Sequence, residues 1–405
     1  MPKSRWNPPG RVEAARRAPR PARPCAAAED DLLREVAAAL ANDEPLALLA
    51  VASSILAALA VRPNPFERQP QSDLPSMDQL VAPFLGIDLV EASALLTAIA
   101  VLSGDEPLRH RVSGEVARRA HTLPQWLVDL HLARPADRAV EVGHVLRDGD
   151  NVLLGVQLAR GHNLTAVAKV DHNLGTLVRD AFVVAEPLTT MIERMQAASD
   201  PDTTVTDLDP ADARARVNAA IAVSWMAWPP FETESWPACR PLLEWILRML
   251  PGGGTGYQRP VWDTEARDGL AERFFGSPFG ADLDDPDHRA LLVGSLLWFA
   301  TDYGPGDPMR WSPAAVEIVM ADWIPRNIIA DADQLAKVPG LLRPFIRFCH
   351  HERGLRPGLT DQTLAAVDRH EPEYQRTIRS PRPPGPGALL TATSTENFDN
   401  PSSEL

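Results

Sequence analysis

The apolar positions of this chain change period twice. Over residues 29–133 they recur at helical spacing. Leu32, Leu33, Val36 and Leu40 follow the acidic opening Glu29, Asp30 and Asp31, which suits a helix N-terminus. Asn42 and Asp43 break that run, and Pro45 sits where a next helix can begin. Beyond a Pro-rich loop at 63–75, the pattern predicts helices over Met77–Leu85, Leu89–Leu102, Arg109–Ala120 and Gln125–Leu132, with Gly104 as a stop. From 138 to 185 the period becomes two. Alternating segments at 139–146, 151–159 and 164–172, with Asp148-Gly149 as a hairpin signal, predict an antiparallel meander that a further apolar segment, Ala181 to Ala185, completes. From 186 to 379 the helical period returns in short, proline-punctuated pieces.

The expected architecture is therefore mainly α, with helical bundles flanking a small antiparallel β-meander, α+β overall. The expected division is a basic arm over 1–25, a helical domain over 29–133, the meander over 138–185, a second helical domain over 186–379 and a tail over 380–405. Six prolines in the arm and a Pro-, Ser- and Thr-rich tail predict disorder at both ends. Eight tryptophans fall in the second helical region (Trp225, Trp228, Trp236, Trp245, Trp262, Trp298, Trp311 and Trp323), where they are expected to cement a core of short helices.

Composition narrows the function classes. A net charge of −14 over 405 residues argues against nucleic-acid binding through the body. Only the arm opposes this: Lys3 and six arginines face Glu13 alone, so it is the one segment suited to a nucleic acid or an acidic partner. Lys3, Lys169 and Lys337 are the only lysines among 40 basic residues, a codon signature of a high-GC genome. Cys25, Cys239 and Cys349 form neither a disulfide framework nor a zinc pattern, so three free thiols in a reducing compartment are expected. No apolar h-region closely follows the basic start. The uncharged run Leu46 to Val61 carries Ser53 and Ser54 and is too short to span a bilayer, so it reads as a buried helix. These features predict a soluble, cytoplasmic protein without a membrane segment.

Few residues suggest chemistry. Gly252-Gly253-Gly254-Thr255-Gly256 lacks the Lys-Ser/Thr of a phosphate loop, follows a helix rather than a strand, and reads as a linker. There is no G-x-S-x-G and no H-E-x-x-H. His350-His351-Glu352 sets adjacent imidazoles about 100° apart on a helix, a poor metal geometry, and reads as a solvated helix end. Six histidines do gather between 110 and 172. His110 and His121 are about 16 Å apart on a helix. His162 and His172 are about 33 Å apart along a strand. His144 and His172 survive. If the apolar parities of the three strands share one face, Val142, Leu154 and Ala168 align. Both histidines then fall on one face at one end of the sheet, roughly 10 Å apart. Asp171, Asn173, Arg179 and Asp180 lie near that end in sequence. His144, His172, Asp171 and Asp180 are thus the candidates for acid–base work, and His144, His172 and Asp171 for a metal. The bland reading is a pair of histidines capping a sheet rim, with Asp171 to Gly175 a turn.

Two segments carry a resemblance. Val170-Asp171-His172-Asn173-Leu174-Gly175, continuing through Asp180-Ala181-Phe182-Val183 to Glu186-Pro187, is one. The other runs from Trp311-Ser312-Pro313 through Ala321-Asp322-Trp323-Ile324-Pro325-Arg326 and Leu341-Leu342-Arg343-Pro344-Phe345 to Glu371-Pro372-Glu373-Tyr374. Both resemble a family of conserved hypothetical actinobacterial proteins with a recurrent C-terminal helical module. The resemblance implies cytoplasmic placement and carries no activity. Within the module, Arg326, Arg343, Arg347, Arg353 and Arg356 contrast with the acidic body; they pair internally or offer Arg343 and Arg347 to an acidic protein partner. The leading expectation is a non-catalytic helical scaffold or partner-binding protein with no cofactor. The alternatives are a hydrolase or metal-dependent enzyme with its site at one end of the meander, and a nucleic-acid-associated protein acting through the arm.

Overall fold

The computed structural model describes residues 24–59, 76–198, 200–227, 230, 233, 235–303 and 306–380. The loop at 63–75, all but the end of the basic arm and all but the first residue of the tail lie outside them. The protein is a mainly helical α+β structure around one five-stranded antiparallel sheet.

The N-terminal helices are α1 (Pro24–Ala41), α2 (Pro45–Ala57), α3 (Met77–Leu85), α4 (Val90–Ser103), α5 (Glu106–Arg119) and α6 (Gln125–Val128). Local chemistry sets their ends. Ser76 and Gln79 form a reciprocal capping box on α3, and the Asp105 carboxylate accepts the Leu108 amide at the start of α5. Gly104 ends α4 at φ +70°. The part of the apolar run from Leu46 up to Ala57 lies in α2, whose buried Ser53 accepts the Leu242 amide and donates to the Ala238 carbonyl of a later helix. Among the described residues no helix is long and apolar enough to cross a membrane.

The sheet comprises β1 (Arg134–His144), β2 (Gly149–Gln157), β3 (Asn163–Asp171), β4 (Leu177–Val184) and β5 (Thr203–Leu208), in the order β4-β3-β2-β1-β5. The helical reading of the region after 186 missed β5, although Thr203-Thr204-Val205-Thr206 is the β-branched run that marks a strand. The helix α7 (Leu188–Ala198) precedes β5 and covers one sheet face, packing Leu188, Met191 and Ile192 on Val140, Val142, Leu153 and Val167. On the other face lie α8 (Pro210–Met226) and α9 (Ser235–Met249), which share a continuous core with the N-terminal helices and with Val152, Leu154, Ala166 and Ala168.

Covering both faces overturns the expected register. Val142 pairs with Asn151, not Leu154, and Leu154 pairs with Ala166. The second hairpin keeps the expected parity, but the first shifts by an odd number of residues. The apolar side of β1 therefore faces α7, while Ala139, Glu141 and Gly143 face α8. A single-faced sheet was the wrong premise, because both parities of this sheet are buried.

A second apolar core begins after the glycine run. It is built by α10 (Thr264–Phe275), α11 (Pro286–Leu291), α12 (Trp298–Asp302), α13 (Pro313–Glu317), α14 (Ile324–Asn327), α15 (Ala332–Leu335), α16 (Val338–Glu352) and α17 (Pro357–Thr377). Trp311 and Trp323 are buried in it, and Trp298 packs edge-on against Trp323 with ring centroids 5.0 Å apart. The apolar cores thus divide the chain between Leu250 and Leu270, not at residue 186.

Candidate functional site

A cavity of about 1040 Å³ lies where the two cores meet. One wall is the end of the sheet, on its α8 side. Pairing places Glu141 opposite Thr206, and Gly143 opposite Thr204. Gly143 also lies beside Asp150, where a Cβ would come within 2.6 Å of the Asp150 carboxylate. That glycine makes room for a buried acid. The second wall is α8, with Asp212, Arg216 and Val223. The third is the glycine run and its continuation through Tyr257 and Arg259. This segment does link the two cores, and it is also seated against α8. A side chain at Gly254 would collide with the Ala211 backbone, and the Asp212 carboxylate accepts the Thr255 amide at 2.6 Å. The fourth wall comes from the turn between α12 and α13, through Asp307, Met309 and Arg310, and from Arg353 at the end of α16.

His172 lies in the cavity wall with both ring nitrogens hydrogen-bonded. It is 5% exposed; its Nε2 lies 2.7 Å from Asp150 Oδ2 and its Nδ1 3.2 Å from Thr176 Oγ1. An ionised carboxylate only accepts, so Nε2 carries the proton toward Asp150. In the neutral ring Nδ1 then accepts the Thr176 hydroxyl proton. Thr176 holds φ +62° directly after Gly175 at φ +100°, a conformation that β-branched residues rarely adopt. That turn carries the hydroxyl to the ring. Tyr257 stands edge-on to His172 with centroids 4.9 Å apart, beneath the Arg216 guanidinium, which pairs with Glu141. Burial, helped by the Asp150 and Glu141 carboxylates, pushes the Tyr257 phenol well above its usual range and keeps it protonated.

The histidine pair predicted from sequence is split by the register of β1. His144 shares the face of Val140 and Val142, whereas His172 continues the face of Ala168 and Val170. Both still border the cavity. His144 instead stands beside Asp200 and Asp202, with ligand atoms within 4.8 Å of one another, the one such group among the described residues. His172 and Asp171 are not in it. All three are already engaged: His144 Nδ1 accepts the Leu146 amide, Asp200 accepts the Asp202 amide and the Thr203 hydroxyl, and Asp202 pairs with Arg356. Asp171 accepts the Leu174 amide at 3.1 Å and pairs with Arg179, and Asp180 accepts the hydroxyls of Thr233 and Ser235. These contacts belong to the turn and the β4 side rather than to the cavity.

Other sequence candidates also find partners. His350 is not a solvated helix end. It is buried, bonded through Nε2 to the Trp311 carbonyl and through Nδ1 to the Thr360 hydroxyl, and burial holds its pKa below the usual imidazole value. Arg343 is bound by Asp368 and Glu371 and is therefore not a free docking cation, whereas Arg347 is exposed. Cys239 and Cys349 are free thiols. Burial pushes Cys239 up to about 12 and raises Cys349 as well, which suits inert thiols rather than nucleophiles. Sequence reasoning missed Asp150, Thr176, Tyr257 and Arg310. No family model matches the chain, and neither a curated protein nor a solved structure is found to be similar to it.

Proposed function

We propose that the cavity between the two cores is the active site of a hydrolase-type enzyme, in which His172 acts as general base on the Thr176 hydroxyl. One observation carries this reading: the hydrogen-bonded series Asp150–His172–Thr176 at the wall of a polar cavity large enough for a small organic substrate. Asp150 orients the ring and opposes the charge it gains. The Thr176 oxygen attacks an electrophilic carbonyl carbon while its proton passes to Nδ1. That proton then goes to the leaving group, and water, deprotonated by the same nitrogen, releases Thr176. The backbone strain at Thr176 fits this role, because strained conformations concentrate where function requires them. A non-catalytic scaffold gains less support, since Arg343 is internally bound.

The test uses p-nitrophenyl acetate as a minimal ester and a fluorophosphonate as a covalent label. Turnover and labelling at Thr176 are expected. Thr176→Ala and His172→Gln should each lower turnover by about 10²–10⁴-fold, and Thr176→Ser should retain it. Neither turnover nor labelling, or wild-type turnover in folded His172→Gln, overturns the reading.

A further inference from the structure

The charges around the cavity do not cancel. Three of its carboxylates are engaged: Glu141 by Arg216, Asp150 by His172 and Asp307 by Arg353. Asp212 is used by the Thr255 amide. Among the described residues Arg147 and Arg259 have no carboxylate within ion-pair distance, and Arg310 reaches only Asp148, at 3.7 Å.

Arg259 is exposed and donates to the Thr301 carbonyl at 2.8 Å. Arg147 sits at the tip of the β1–β2 hairpin at φ +52°, exposed, with no side-chain hydrogen bond or ion pair among the described residues. Arg310 comes from the opposite side of the cleft and is 8% exposed. It donates to the Leu146 carbonyl and to Asn173 Oδ1 at 3.2 Å, and its nearest carboxylate, Asp148, lies 3.7 Å away. Its Nε is buried with no partner. Burial is the main influence on this group. It pulls the guanidinium down to about 10 against the opposing Asp148 and Asp307 carboxylates, and the like charge of Arg147 adds a smaller push downward. Asp148 is itself shared between Asn173 and Ser312. Both guanidiniums line one cavity, and like charges there repel less when an anion lies between them.

We propose that Arg147 and Arg310 form an anion subsite, one cation from each side of the cleft, that holds the carboxylate or phosphate group of a small organic substrate. Both groups accept the forked donors of arginine, and both gain from a partly desolvated setting. The inference deepens the catalytic reading by naming the substrate class. The anion would anchor one end of the substrate at the hairpin, leaving the electrophilic centre for Thr176. Arg310 serves as the fixed, buried half of the pair and Arg147 as the half that closes on the ligand.

Calorimetric titration of the full chain with inorganic phosphate and with succinate tests this, each at low and high salt. Saturable binding of at least one anion is expected, weakening as salt rises. The stronger of the two identifies the group preferred. Arg147→Gln should weaken binding by about tenfold or more, equivalent to about 1.4 kcal/mol; it lies on an exposed turn, where the fold survives the change. Arg347→Gln, on the exposed side of α16, should have no effect. His172→Gln should bind the anion normally while losing esterase turnover, so binding judges the subsite and turnover judges the catalytic reading. No saturation with either anion, or unchanged affinity in Arg147→Gln, overturns the proposal.

Discussion

A threonine in the left-handed region costs about 1–3 kcal/mol relative to a relaxed backbone, and Thr176 bears that cost beside an imidazole. The hydrogen bond it makes to His172 returns about 0.5–1.5 kcal/mol, which does not offset the strain by itself. The two effects can be separated. Thr176→Ala keeps the positive φ and loses the hydroxyl, so it should be less stable than wild type. Thr176→Gly also loses the hydroxyl but relaxes the backbone. The glycine variant should therefore be more stable than the alanine variant by about 1 kcal/mol, although both should lack esterase turnover. Urea denaturation of the two variants checks this, and equal stability would mean that the turn is not strained. The residues of this site were only partly legible in sequence. His172 is legible because six histidines gather between 110 and 172 and strand spacing leaves it, with His144, at one end of the sheet. Asp150 and Thr176 are not, since an aspartate beside a hairpin and a threonine after a glycine are ordinary turn residues until the register sets them on one ring.

Elements were legible where their signals were local. The capping box of α3 and the glycine that ends α4 sit where the sequence predicts. The face of β1 was not legible, because Val140 and Val142 carry the same alternation whether they meet α7 or α8. The last turn of α16 misled for a related reason. Two histidines before a glutamate look solvated, yet the helix turns His350 inward onto the Trp311 carbonyl and leaves His351 exposed. The consequence is a pH dependence of defined sign. His350 has a lowered pKa in the folded protein, so the unfolded chain binds its proton more readily. Its contribution is complete above the unfolded value of about 6.5 and is lost as pH falls below it. Wild-type stability should drop between pH 7 and 5. His350→Gln, which retains donor and acceptor atoms, should flatten that drop by at most about 1.4 kcal/mol per pH unit. Chemical denaturation at several pH values reads the difference in slope, and identical slopes would mean that the site tolerates the charged ring.

At the scale of the whole molecule, two apolar cores are joined by polar contacts. Arg310 reaches the Leu146 carbonyl and Asn173, Ser312 donates to Asp148, Arg356 pairs with Asp202, and Arg259 holds the Thr301 carbonyl. None of these groups could have been matched from sequence, because each partner lies more than 40 residues away and no apolar periodicity marks it. Interfaces of this polar kind permit relative motion, and here the interface surrounds the cavity. The buried members are the ones that couple the cores. Ser312 is fully buried; besides donating to Asp148 it caps α13 by accepting the Ala315 amide at 3.0 Å. Asp202 is also buried, so losing Arg356 strands a carboxylate away from water. Wild-type protein should therefore unfold in one calorimetric transition. The double variant Ser312→Ala with Arg356→Ala should resolve two, the lower one belonging to the C-terminal helices. Their loss of the α13 cap alone costs about 0.5–2 kcal/mol. An anion bound between Arg147 and Arg310 should draw the two transitions back together, since it stabilises only the form in which both sides of the cleft are in place. A single transition in the double variant, with calorimetric and van't Hoff enthalpies equal, would mean that the cores are coupled by something other than these side chains.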